Sequence, residues 1–429
     1  MQTTFYPKRK QQGNVLVVTL FILSLMGFFL YAYLDTTRTQ RSLMARSQGW
    51  NTALGLAEAG VEEALGQVNP GAPLPVIDRT ANGWGAAVDG LYGPISRSLS
   101  NGTYSVVISA DIFPIIYATG YVAVPSIPAN LTRVVRVTTT NMPLFTTVLA
   151  AKYDINFTGN GISTDSFNSS NPNQSDNGRY PVLYPSRAST NGDVASVQGL
   201  INVGNGNING TLYLGPTATD TIGGNGIVTG GVSNDFNVEL EDVVLPSTTW
   251  LQPSVTNVTI GTNTYQYLFG PGTSNGSGDF TIADLKNSSI YVSNATVRLK
   301  LTGNASPTLI QVAGVGTSAG SLTIYMDGPS FTLSGKSTVD GGLAASLSYY
   351  GTTNNTSITF GGNASFTGTI YAPEAAFSMG GGGSSIYDFV GAAVLKSAVL
   401  NGHYNFHYDE ALATTGPKRG YVPNSWQEL

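Results

Sequence analysis

Residues 366–377 read FTGTIYAPEAAF, and residues 389–400 answer with FVGAAVLKSAVL. At this 23-residue offset Phe366 falls on Phe389, Gly368 on Gly391, Ala375 on Ala398 and Phe377 on Leu400. Two echoes extend the pattern. Asn209-Gly-Thr-Leu-Tyr213 repeats Thr367-Gly-Thr-Ile-Tyr371, and a Gly-Asn pair recurs in 157–161, 301–306 and 361–365. Short apolar strands, glycine corners and asparagine turns at a period of about 20–25 residues mark a β-solenoid. The physics agrees. Inward Phe, Leu, Ile and Val of one coil are buried only by the coils above and below, and stacking pairs every strand edge except those at the ends. The expectation is a right-handed β-solenoid-like domain over 151–412, with Phe366, Phe377, Phe389 and Leu400 in its core. An irregular β-sandwich built from hairpins is the rival. Residues 235–300, with Glu239, Glu241, Asp242, Pro246 and Pro253, break the repeat and read as an excursion on the flank.

The composition suits such a chain. Of 429 residues, 52 are Gly and only 10% are charged, which favours short strands over helix bundles. The net charge of −5 and the lack of a long basic run exclude nucleic acid as a partner. Cysteine is absent, which excludes disulfides, thiolate metal sites and cysteine nucleophiles.

The N-terminal part differs. Val15 to Leu34, VLVVTLFILSLMGFFLYAYL, carries no charge and as a helix reaches about 30 Å, the thickness of a bilayer core. Lys8, Arg9 and Lys10 precede it and predict a cytoplasmic N-terminus, although Arg38, Arg41 and Arg46 follow it and weaken that bias. The apolar run is long for a cleaved secretory signal, and no clear A-x-A site follows it. Beyond it, Trp50, Leu54, Ala57, Val61, Ala64 and Val68 recur at helical spacing, and Asn69-Pro70-Gly71 stops the pattern. A transmembrane helix over 14–34 thus continues as an extended amphipathic helix over 35–69. Its stripe packs on the chain's own β domain or on neighbouring helices of a filament; the stripe alone favours the first. Residues 70–150 read as a linker, over 70–100, and a small antiparallel sheet, and 413–429 as a C-terminal tail.

Gly13-Asn14 before the apolar run resembles the prepilin-peptidase signal of type IV pilins. Residues 11–65, with Ala53 and the stretch Leu56 to Leu65, resemble the N-terminus of PilX-type pilus-assembly proteins. The resemblance implies a leader over 1–13, cleavage between Gly13 and Asn14 by prepilin peptidase, insertion in membrane lipid and contact with other pilin subunits. Two positions depart from the pilin pattern: Val18 stands where major pilins carry Glu, and Asn14 where they carry an apolar residue. The stretches 154–170, 362–377, 391–402 and 406–412 resemble the C-terminal domain common in larger PilX-like proteins. Together these imply a single-pass protein of the bacterial inner membrane, or of a pilus, with its β domain periplasmic or extracellular. The alternatives are a tethered surface adhesin outside any filament and an anchored carbohydrate-active solenoid.

Candidate chemistry is sparse. His403 and His407 are the only histidines, and in an extended strand they share a face with Asn405 and Asp409. That set could ligate a metal; the simpler reading is a polar cap on the last coil. Asp165 to Asn177 is rich in oxygen ligands of the kind calcium takes, but lacks EF-hand spacing, and Asx turns explain it at lower cost. Gly380 to Gly383 has no following Lys-Ser/Thr and reads as a corner or loop rather than a phosphate loop. Glu374 and Asp388 are the carboxylates an enzymatic solenoid would use, yet the charges of 301–406 are scattered and do not recur at the coil period. The expectation is therefore no enzyme, no cofactor and no small-molecule substrate.

Overall fold

A single helix, α1 (Asn14–Val68), opens the computed structural model, which describes residues 14–69, 80, 82–125, 129–159, 161–313, 318–335, 337–381 and 387–429. The expected leader, with Gly13, lies outside these residues. At 1.5 Å per residue α1 is about 80 Å long. All side chains from Val15 to Leu34 are exposed, as befits a segment apolar on every side. By length and composition α1 suffices to cross a membrane once. The rest of the chain is mainly β, and the chain falls into two compact units, the first of which includes α1.

The first unit joins α1 to an antiparallel sheet of β1 (Leu91–Leu99), β2 (Gly102–Ser109), β3 (Ile115–Val122) and β4 (Leu131–Pro143), with the C-terminal strand Lys418–Glu428 beside β4. Alternation decides the buried face. Val106 opposes Ala118 and Ala118 opposes Val135, while Ile108 opposes Ile116 and Ile116 opposes Val137; all six are buried. Ala53, Leu56, Ala57, Val61, Ala64 and Val68 cover that face. Ala57, Val61, Ala64 and Val68 are residues of the expected stripe, while Ala53 and Leu56 take the places of Trp50 and Leu54. Trp50 is 43% exposed and holds the Arg133 guanidinium 4.7 Å from its ring centroid. Gly120 marks the tightest approach, since a Cβ there would run into the Ala53 carbonyl. Glu63 of α1 ties the helix to the sheet, accepting hydrogen bonds from Arg97 Nη2 at 2.8 Å and Tyr104 Oη at 2.7 Å.

Two expected boundaries need correction here. Residues 70–100 are not all linker, because β1 belongs to the sheet. Residues 413–429 are not a tail. Thr138 Oγ1 lies 2.5 Å from Ser425 Oγ, and the Leu429 amide donates to the Val134 carbonyl. An edge strand needs a backbone partner, and a 17-residue periodicity-free segment gives no sign of supplying one.

The second unit is a large parallel sheet wound into coils; most strands pair with the third strand along, and the long strands Ser365–Gly381 and Tyr387–Gly402 each span most of a coil and pair with one another directly. One inward row shows the stacking: Phe280, Leu299, Ile324, Tyr349, Ile370, Ala393, Leu149, Val194 and Leu212 are successive partners, all buried. The order in that row is not the order of the chain. From Leu149 the coils wind outward to Val232–Ser233; the chain then crosses to the far end, re-enters at Tyr267–Phe269 and winds back. The last coil, Tyr387–Gly402 and Tyr404–Asp409, docks on the first, Leu149–Ala151, Ile155–Phe157 and Ser163–Phe167. The stack is thus one spiral, 267–409 followed by 149–233, closed by a central seam.

The seam corrects the expected capping role of residues 403–409. The strand Tyr404–Asp409 is interior, paired on one side with Tyr387–Gly402 and on the other with Ser163–Phe167. The excursion is also shorter than 235–300, because strands from Tyr267 onward are already in the stack. Residues 234–266 form a strap along one face. The Phe236 amide donates to the Leu214 carbonyl, Val243 bridges Thr352 and Leu251 bridges Phe280. Beneath the strap lie Tyr371, Tyr350 and Tyr325, all at least 97% buried, with Trp250 set edge-on to Tyr325 at 5.9 Å.

The 23-residue alignment holds only in part. Phe366 pairs with Phe389 and Gly368 with Gly391, but the register shifts between Ala372 and Ala376. Phe377 then opposes Ala398, and Leu400 opposes Met379. The bulge absorbs two extra residues around Pro373, whose missing N–H interrupts the ladder. Phe366, Phe377, Phe389 and Leu400 are all buried. The 209–213 echo is positional as well, since Leu212 and Ile370 occupy the same inward row.

Candidate functional site

The seam gathers one cluster of titratable groups of the second unit. His407 stands on the outer side of Tyr404–Asp409, yet only 2% of it is exposed, because the loop after Phe167 folds over it. Its Nδ1 lies 2.5 Å from Asp165 Oδ1 and its Nε2 3.3 Å from Asp388 Oδ1. Tyr180 of the loop stacks on the imidazole, centroids 3.5 Å apart, and donates its hydroxyl to Asp165 Oδ2 at 2.7 Å. Burial pushes the imidazolium down, but the hydrogen bonds and charges of Asp165 and Asp388 outweigh it and hold the His407 pKa above the ordinary histidine value. Burial, helped by Asp165, drives the Tyr180 hydroxyl far up. The group therefore favours the protonated imidazole and keeps Tyr180 a neutral donor.

The other candidate residues are dispersed. Asp409 Oδ1 accepts the Ser169 and Ala411 amides, and burial raises its carboxyl. Asn405 accepts the Ser163 hydroxyl. The His403 carbonyl accepts the Tyr387 amide. His403, His407 and Asp409 thus have separate partners, and among the described residues no three His, Asp or Glu side chains form a metal-sized group. In Asp165 to Asn177, Asn168 and Asn171 accept amides two residues on, as Asx turns do. Glu374 is engaged by Lys152 and by Lys396 at 3.7 Å. Gly380 and Gly381 end the strand Ser365–Gly381, and the rest of that glycine run lies outside the described residues.

Sequence reasoning missed Asp165, Asp388 and Tyr180 as the partners of His407. Asp165 is 242 positions from His407, and only the seam brings them together.

Comparison with known proteins adds little to this. A profile described as Domain of unknown function (DUF7305) matches residues 278–415, less than half of the chain. No curated protein matches. A solved structure, the competence-associated pilin ComZ of Thermus thermophilus, aligns at 13% identity over 88% of this chain and 97% of that one, with a TM-score of 0.29.

Proposed function

We propose that this chain is a pilin-like structural or assembly protein of a type IV pilus or a related envelope machine. The observation that carries the reading is the division of α1: the stretch from Val15 to Leu34 is bare and apolar, and the stretch from Gly49 to Val68 packs on an antiparallel sheet. A bare apolar helix needs lipid or other helices around it. Prepilin peptidase would cut between Gly13 and Asn14, the N-terminus would stay cytoplasmic, and the β domain would be displayed outside for assembly or adhesion. No catalytic step enters the reading; Glu374 pairs with Lys152, and Asp388 lies beside His407.

Val18 supports a second reading, a tethered surface protein outside any filament, because it removes the carboxylate a major pilin offers its neighbour. Cysteine-free wild type makes the choice measurable. A Phe28→Cys variant in native membranes should form disulfides with a cysteine placed on a pilin subunit. A variant that stays in the membrane but never cross-links would favour the tether.

A further inference from the structure

Beside the His407 group lies a cavity of about 170 Å³, lined by Arg179, Tyr180, Val182, Asp340, Thr367 and Asp388, among others. It is small beside the roughly 300–1,000 Å³ of sites for drug-sized molecules, so it takes a ligand of about one ring. Its walls are built from distant parts of the chain. Asp340 and Thr367 are ladder neighbours on the stack, Asp388 lies on the next strand over, and Arg179 and Tyr180 come from the roofing loop. Asp340, Asp388 and Tyr180 each have a partner, and Arg179 is half exposed. Asp340 Oδ1 accepts the Gly342 amide and its Oδ2 is 3.7 Å from Arg179 Nη1. Asp388 is held by the buried His407, and Tyr180 by Asp165.

We infer that this cavity is a binding site for a neutral saccharide ring, displayed by the β domain. The chemistry narrows the class. The carboxylates of Asp340 and Asp388 repel a phosphate or a uronic acid, and the Arg179 guanidinium disfavours a cation. A sugar offers hydroxyl donors to Asp340 and Asp388, acceptors to Arg179, and C–H faces to Tyr180, Val182, Ala344 and Val390, which share the lining. Fixed partners reduce the ordering cost that limits small-ligand affinity. The site adds a ligand to the displayed domain, and it does not depend on whether α1 enters a filament.

The test uses the full chain in a zwitterionic, non-glycosidic detergent. Saturation-transfer NMR is run with glucose, galactose, mannose and N-acetylglucosamine, then with their β-linked disaccharides. At least one should receive saturation from the protein, and Asp340→Asn should weaken that binding by about tenfold or more, the size expected when a charged hydrogen-bond partner is lost. Thr367→Val, which keeps the shape, serves if the first variant melts early, and should weaken binding severalfold. Absence of transfer from every sugar, or transfer that survives both substitutions unchanged, overturns the assignment.

Discussion

Replacing Phe389 by Ala should test the stack at its most aromatic point. Phe389 is fully buried, with its ring stacked on Phe366 at 5.1 Å and 12° and lying 5.3 Å from Phe406. Phe406 in turn faces Thr164 across the seam. Truncating a buried Phe costs about 3–5 kcal/mol through lost transfer energy and the cavity left behind. Two ring contacts, each contributing about 0.5–1.5 kcal/mol beyond area, place Phe389→Ala near the top of that range. Phe366→Ala should cost a similar amount, since Phe366 meets both Phe389 and Phe360. The assay is denaturant unfolding of the full chain, read by tyrosine and tryptophan fluorescence. The double variant should fall short of additivity by about 0.5–1.5 kcal/mol, because one ring pair is then counted twice. A loss below about 1 kcal/mol for Phe389→Ala, or strict additivity, would refute the ladder that places these rings in contact.

The His407 pKa is raised on folding, so its contribution is fully present below the unfolded histidine value of about 6.5 and is lost as pH climbs through the folded value. Thermal midpoint should therefore fall from about pH 6 to about pH 9, and His407→Gln should flatten that slope; a midpoint that rises with pH would contradict the seam's charge state. At the outer end of the stack, Asp220 sits in the inward row after Ile155 and Ile201, beside exposed Ile222, Ile227 and Val232. A charge pointing inward on an edge strand discourages strand addition. Asp220→Val should raise self-association in light scattering, and a variant as monomeric as wild type would show that the edge is protected otherwise. Ala150→Cys with Val394→Cys pairs facing positions on the seam. In this cysteine-free chain the pair should oxidise in the native state, and failure to do so would place the C-terminal coil elsewhere.

The sequence displayed the parts better than their order. The unbroken apolar run before Leu34 and the helical stripe after it specify α1, because periodicity is a local signal. The Phe366 and Phe389 phrases specify neighbouring coils for the same reason. The closure of 387–409 onto 149–167 is not local. No motif in Leu149–Ala151 announces Ala393–Leu395 as its partner, because any small apolar strand satisfies a parallel ladder. That non-local step turned His407 from an expected terminal cap into a buried bridge. It also joined Asp165 and Asp388, which the sequence places in an oxygen-rich stretch and among scattered charges, to one histidine. The two-residue slip after Ala372 leaves no mark in the sequence, because Ala, Ser and Val fit either register.

The mass of the N-terminal peptide of the mature protein, isolated from its native membranes, tests the central claim most directly. The account predicts a peptide that begins at Asn14, carrying an N-terminal methyl group, as a prepilin substrate would. A peptide that begins at Met1 or Gln2 would contradict it and leave α1 as an ordinary signal anchor.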